Sequence, residues 1–172
     1  LTTGQTYDVI MVDAYQDITI PFQMSSVEFF NMVKDHLTEN GVMVVNMNMR
    51  GSGEGNINQY LADTIASVFG TVYTADVKGS TNRELFASNQ EDMLDTLKNN
   101  AGNLANADLQ NMMLAVADTS TQYDGGDYIM TDDKAPVELL GMQVIDQVIK
   151  EEVAYYKGIY EEQGLDGLLQ SL

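Results

Sequence analysis

Three stretches of this 172-residue sequence hold side chains able to do chemistry. The first is Asp13-Ala-Tyr-Gln-Asp17, directly after the apolar run that starts at Tyr7. Open α/β sheets bind ligands beyond the carboxyl ends of their strands. Two carboxylates placed there could accept hydrogen bonds from an amine and take its proton. The same spacing also suits an Asp13 that caps a turn and an Asp17 that is merely solvated. The second stretch is Gly51-Ser-Gly-Glu-Gly55, with Asp76 about twenty residues on, an arrangement that resembles a nucleotide fingerprint. Glu54 sets a negative charge inside that loop, which disfavours a pyrophosphate, and a flexible turn explains the glycines equally well. The third is Thr131-Asp-Asp-Lys-Ala-Pro-Val-Glu138, where acids cluster about Pro136. They could bind a cation, but offsetting the positive N-terminal end of the following helix is the reading the physics favours.

Composition narrows the chemistry further. There are 26 acidic residues against 8 basic ones, a net charge of −18. Nucleic acid and anionic membrane surfaces are disfavoured, because both need lysine and arginine. With no cysteine, disulfides, thiol catalysis and cysteine–zinc sites are excluded, and a single histidine cannot make a histidine-rich metal site. No apolar run approaches the roughly 18 residues that cross a bilayer. Leu1 to Thr6 lack the basic and apolar regions of a signal peptide. A chain opening on Leu1 and reaching a strand pattern by Tyr7 reads as a segment of a longer protein, here one domain over 1–172.

Elements must position these residues. Tyr7-Asp-Val-Ile-Met-Val-Asp13 is apolar nearly throughout, as expected of a parallel strand buried on both faces. Ser25-Ser-Val-Glu28 reads as a capping box for a helix carrying Val27, Phe30, Val33 and Leu37, with Gly41 as its stop. A second strand over Val42–Met47 completes a βαβ unit. A helix over 57–69, strands over 71–77 and 83–88 in an antiparallel pair, and a helical region over 90–117 broken near 99–106 follow. Residues 137–157 form an amphipathic helix entered through Pro136, with a short separate helix after Gly158. His36 suits the end of the first helix, and Tyr155, Tyr156 and Tyr160 suit either a core edge or an interface patch.

Several of these stretches together resemble one family. Tyr7-Asp-Val-Ile-Met-Val-Asp13-Ala-Tyr15, Ile20-Pro-Phe-Gln-Met24, Glu28-Phe-Phe30, Gly41-Val-Met-Val-Val-Asn46 and Thr131-Asp-Asp-Lys-Ala-Pro-Val-Glu138 are similar to spermidine synthases, the polyamine aminopropyltransferases. Their order resembles the branch fused to membrane segments. The resemblance covers most of the chain, least over 90–127. It implies an α/β, partial Rossmann-like (methyltransferase-like) sheet of about four strands with flanking helices and a helical C-terminus. It implies aminopropyl transfer from decarboxylated S-adenosylmethionine to putrescine or spermidine in the complete protein. Asp13 would be the catalytic acid–base, with Tyr15, Asp17, Asp132 and Asp133 on the substrate side. The spacing of Asp17 departs from the family pattern. The family's glycine-rich loop lies upstream of Asp13, so the chain is expected to bind no cofactor itself and to be inactive alone. Gly51–Gly55 then falls outside the nucleotide pocket. A cytoplasmic location follows from the resemblance, with tethering by membrane segments elsewhere in the parent chain allowed.

The first strand would normally have a neighbour on its other side. A bare apolar edge there predicts a homo-oligomer, or a rearrangement of the final helices that covers it. The alternative function is a non-catalytic methyltransferase-like module that binds polyamines or a protein partner. A third is an independent nucleotide-binding enzyme using Gly51–Gly55 and Asp76.

Overall fold

The computed structural model describes residues 4–13, 21–48 and 54–171. Among these residues ten regular elements follow one another, apart from a 3-10 turn at Phe22–Met24: β1 (Tyr7–Val12), α1 (Val27–Asp35), β2 (Leu37–Asn48), α2 (Ile57–Val68), β3 (Thr71–Asp76), β4 (Asn82–Ser88), α3 (Met93–Gly102), α4 (Ala107–Thr119), β5 (Thr121–Gln122) and α5 (Val137–Ser171). The strands form one mixed sheet in the order β1-β2-β4-β3-β5. β1 and β2 are parallel, as the βαβ reading requires. β4 lies antiparallel between β2 and β3, so the last long strand inserts next to β2. The two-residue β5 adds a fifth strand to the expected four. This is the expected Rossmann-like, methyltransferase-like α/β class, with a helical C-terminus.

Alternation along the strands sorts side chains onto two faces. Met43, Val45 and Met47 of β2, Leu85 and Ala87 of β4, Val72 of β3 and Val12 of β1 point to one face and are buried. They pack with Phe30 and Val33 of α1, Leu61 and Ile65 of α2, and Val137, Leu140 and Val144 of α5. Val9 and Met11, Val42 and Val44, Phe86, and Tyr73 point to the other face. The α3–α4 helix pair covers part of it and leaves a cavity of about 650 Å³ lined by Val42, Val44, Phe86, Leu94, Leu97 and Met113 among others.

Several local expectations change. The cap of α1 is Ser26, whose Oγ accepts from the Phe29 amide at 3.2 Å, and not Ser25 with Glu28. Ser25 instead donates to the Phe22 carbonyl at 2.9 Å. α1 ends at Asp35 with His36 as its C-cap, and β2 begins at Leu37, earlier than expected. Gly41 is therefore no helix stop. Between the pairs Tyr7–Leu37 and Val9–Val42 the register slips, so β2 bulges. In that bulge Gly41 approaches Leu37 so closely that a Cβ would fall 2.9 Å from the Leu37 Cβ. α5 runs straight through Gly158 and breaks only at Gly164, which has φ 67°. A single glycine costs a helix interior about 1 kcal/mol, too little to end it.

The final helices do not cover β1. Val9 and Met11 are 56% and 72% exposed. Among the described residues no strand pairs with the outer edge of β1.

The segment 123–134 has little regular structure and is nevertheless tied down. Asp63 of α2, 1% exposed, accepts from the Tyr123 hydroxyl at 2.5 Å and from the Tyr128 amide at 3.1 Å. Thr64 Oγ1 accepts from the Met130 amide at 3.0 Å, and the Met130 carbonyl accepts from the Val27 amide at 2.9 Å. Gly126 passes so near that a Cβ would lie 2.7 Å from Asp63 Oδ2.

Candidate functional site

β1 ends at Val12, which leaves Asp13 at the carboxyl edge of the two parallel strands. By alternation it belongs to the face of Val9 and Met11. Asn46 lies in β2 on the same face, and its Nδ2 donates to Asp13 Oδ1 at 3.2 Å. Asn46 pairs across the ladder with Glu84 of β4, which puts Glu84 beside them. Partial burial, and then the nearby charge of Asp13, push the Glu84 carboxyl above its ordinary value. The Asn46 Oδ1 atom is buried and has no hydrogen-bond partner. The result is two carboxylates with an amide between them. Negative charge is crowded there without a compensating cation from the described residues, and the pair would gain from a protonated amine.

The other expected site residues fare differently. Tyr15 and Asp17 lie outside the described residues. Asp132 does not cap the final helix. Its Oδ1 accepts from Ser26 Oγ at 2.5 Å, while its own amide donates to Glu28 Oε2 at 3.0 Å. Asp132 thus belongs to the N-terminus of α1, where the dipole favours its charge. Asp133 is exposed on the adjoining turn, which the Thr131–Lys134 bridge closes. The first backbone bond of α5 runs from the Leu140 amide to the Pro136 carbonyl at 3.0 Å.

Asp76 is engaged by Arg83, 2.5 Å away, whose hydrogen bond holds the carboxyl below its ordinary range. Cross-strand pairing of β3 and β4 puts these two side by side. Of the glycine loop, Gly51 to Gly53 lie outside the described residues. Gly55 has φ 72°, and Glu54 accepts from the Tyr128 hydroxyl at 3.1 Å, which pushes the Tyr128 phenol up. His36 Nδ1 sits 2.8 Å from the Met32 carbonyl, a helix-end contact.

Two residues beside Asp13 escaped sequence reasoning. Asn46 stood inside a quoted motif without a role. Glu84 is a carboxylate in the middle of a short strand, flanked by Arg83 and Leu85. That was the available signal, but only the β2–β4 register brings it to Asp13. The 650 Å³ cavity is a separate feature. Its lining reaches Asp8 and Asn40 and includes neither Asp13, Asn46 nor Glu84.

No protein-family model matches the chain. A curated protein from Bifidobacterium longum, named probable polyamine aminopropyl transferase, is 51% identical over 96% of the chain. Over this span the chain is similar to a polyamine aminopropyltransferase. It covers 41% of the length of that relative. Among solved structures, human methyltransferase-like protein 13 in complex with SAH matches 67% of the chain and 49% of its own, at 24% identity and a TM-score of 0.46. A probable spermidine synthase from Corynebacterium glutamicum matches 75% of the chain and 51% of its own, at 18% identity and a TM-score of 0.40. Among the described residues, no helix is long and apolar enough to cross a membrane.

Proposed function

We propose that this chain is the amine-side part of a polyamine aminopropyltransferase, and that Asp13 is its general base. In the reaction, the acceptor amine nitrogen attacks the methylene next to the sulfonium of decarboxylated S-adenosylmethionine. A carbon–nitrogen bond forms, the carbon–sulfur bond breaks, and methylthioadenosine leaves with the bonding electron pair. The nitrogen then carries a surplus proton, which passes to the Asp13 carboxylate. Asn46 holds that carboxylate in place. Glu84 supplies a second negative charge for the polyamine, the part that the spacing of Asp17 left open. Asp133, exposed near the same edge, and Tyr15 and Asp17 after β1 complete the substrate side. Asp132 contributes through the position of α1.

One observation supports this reading most: the Asp13–Asn46–Glu84 group at the carboxyl edge of β1 and β2. The family relation supplies the reaction. The span of 41% of the relative supports a donor site formed largely by sequence outside this chain, so the chain alone should not turn over. The motif order that resembles the membrane-fused branch would put the site on the cytoplasmic side of such a protein. The bare edge of β1 is where a neighbouring strand, or a second copy, would complete the sheet.

Calorimetric titration of the chain with spermidine, putrescine and methylthioadenosine tests the division of labour. Spermidine should bind, binding should weaken about tenfold in Asp13→Asn or Glu84→Gln, and the nucleoside should not bind. Spermidine binding that ignores both substitutions would remove this group from the site. In the complete protein, Asp13→Asn should lower kcat by roughly 100-fold or more, the range for lost acid–base assistance.

A further inference from the structure

Asn40-Gly41 is the one place in the sequence where glycine follows asparagine. Asn40 is exposed at the amino end of β2, in the bulge between the pairs Tyr7–Leu37 and Val9–Val42. Thr38 to Gly41 have no partner residue in β1, and the β2–β4 ladder begins only at Val42. Side chains hold the carbonyls on either side of Asn40 instead. The Glu39 carbonyl accepts from Gln90 Nε2 at 3.1 Å, and the Gly41 carbonyl accepts from the buried Ser88 hydroxyl at 2.9 Å. A Cβ at position 41 would lie 2.9 Å from the Leu37 Cβ and 3.0 Å from the Thr38 nitrogen. The turn of the bulge therefore requires glycine there. Asparagine is one of the chemically labile side chains, and a following glycine, without a Cβ, shields its own backbone nitrogen least.

We infer that Asn40 is a site of self-modification: the β2 bulge exposes its side chain to attack by the Gly41 backbone nitrogen. The Gly41 nitrogen adds to Cγ of Asn40. A carbon–nitrogen bond forms, and the bond from Cγ to Nδ2 breaks. Ammonia leaves, carrying the proton that the Gly41 nitrogen gives up, and a succinimide ring remains. Water then opens the ring. Opening at Cγ gives aspartate, and opening at the backbone carbonyl gives isoaspartate, in which the main chain runs through the former side chain. Water is the sole co-reactant. Either product adds negative charge near Asp8, which lines the same cavity as Asn40 and accepts from the Thr38 hydroxyl at 2.8 Å. Isoaspartate also lengthens the main chain of the bulge by one methylene. The close approach of Gly41 to Leu37 leaves no room for it, so the pairing of β1 with β2 should loosen at that end. The inference is independent of the polyamine site.

The test is to hold the folded chain in mildly alkaline buffer, digest it with trypsin and follow the peptide of residues 35–50 by mass spectrometry. The mass gain of amide-to-acid conversion should localise to Asn40, ahead of Asn46 and Asn48 in the same peptide. The folded chain should react within about tenfold of the rate in denaturant, since a bulge outside the ladders opens at little cost. A protein-isoaspartate methyltransferase should label the product. Asn40→Gln should remove both signals and, being exposed, should keep the fold by circular dichroism. The isoaspartate fraction should unfold at a lower denaturant concentration than Asn40→Asp, which carries the new charge alone. Three results would overturn the inference. They are a folded rate suppressed beyond that tenfold, a gain that appears first at another asparagine, and methyl labelling that survives Asn40→Gln. An isoaspartate fraction as stable as Asn40→Asp would overturn the effect on β1 and β2.

Discussion

The two faces of the sheet are built from similar residues and reach different ends. Along β2, Met43 and Val45 alternate with Val42 and Val44. Met43 and Val45 are fully buried against α1 and α2, while Val42 and Val44 are partly open over a 650 Å³ cavity beneath α3 and α4. The difference lies in what covers each face. The closed face receives three helices, whereas the open face receives one helix pair, which meets the sheet at β3. The open face also changes character along its length. It is apolar at Val9, Val42 and Phe86 and turns polar at Asp13, Asn46 and Glu84. The closed face therefore holds the fold together, and the open face stays accessible at its polar edge.

The largest test of this contrast uses two neighbours on β4. Leu85 is fully buried on the closed face, and Leu85→Ala should cost about 3 kcal/mol of unfolding free energy in a denaturant titration. Phe86 faces the cavity, and Phe86→Ala should cost only about 1 kcal/mol despite its larger side chain, because one side already lacks packing. Equal losses would break the contrast. Adding volume should sharpen it. Val45→Leu should cost about 1–3 kcal/mol by overpacking, while Val44→Leu, which grows toward the cavity, should stay within about 0.5 kcal/mol of the parent.

Titration should give the smallest signals. Glu84 has a raised folded carboxyl, so its contribution favours folding below the ordinary glutamate range and is lost as pH rises through the folded value. Glu84→Gln should therefore be slightly more stable than the parent at neutral pH and indistinguishable from it in acid. A variant less stable than the parent at neutral pH would show a folded carboxylate satisfied by some partner. Tyr123, by contrast, belongs to the loop clasp. Burial and the Asp63 carboxylate push its phenol up. Its contribution is complete below the unfolded value near 10 and fades as pH rises beyond it, a dependence that Tyr123→Phe should abolish.

Much of this was legible in the sequence. The apolar run of β1, the stripe of Ile57, Leu61 and Ile65 in α2, and the short link between β3 and β4 each carry a local signal that the structure keeps. The illegible parts depend on distant partners. Burial of β1 on both faces was expected from its composition, yet Val9 and Met11 are exposed because none of the described residues covers them. Asp132 finds Ser26 across 106 positions, and Glu84 finds Asp13 only through strand register. Gly158 and Gly164 look alike as residues, but only Gly164 adopts the left-handed φ that turns the chain. Of the polar group at the sheet edge, Asp13 stood out by its place after a strand, while Asn46 and Glu84 needed the sheet.

The clasp around Asp63 bears on how the molecule breathes. The Tyr128 and Met130 amides lie in a segment with almost no helix or strand, where fast exchange with solvent deuterium is the usual behaviour. Their acceptors, Asp63 and Thr64, are buried in α2. These two amides should exchange far more slowly than loop amides usually do, because releasing either leaves a buried polar side chain of α2 without its partner.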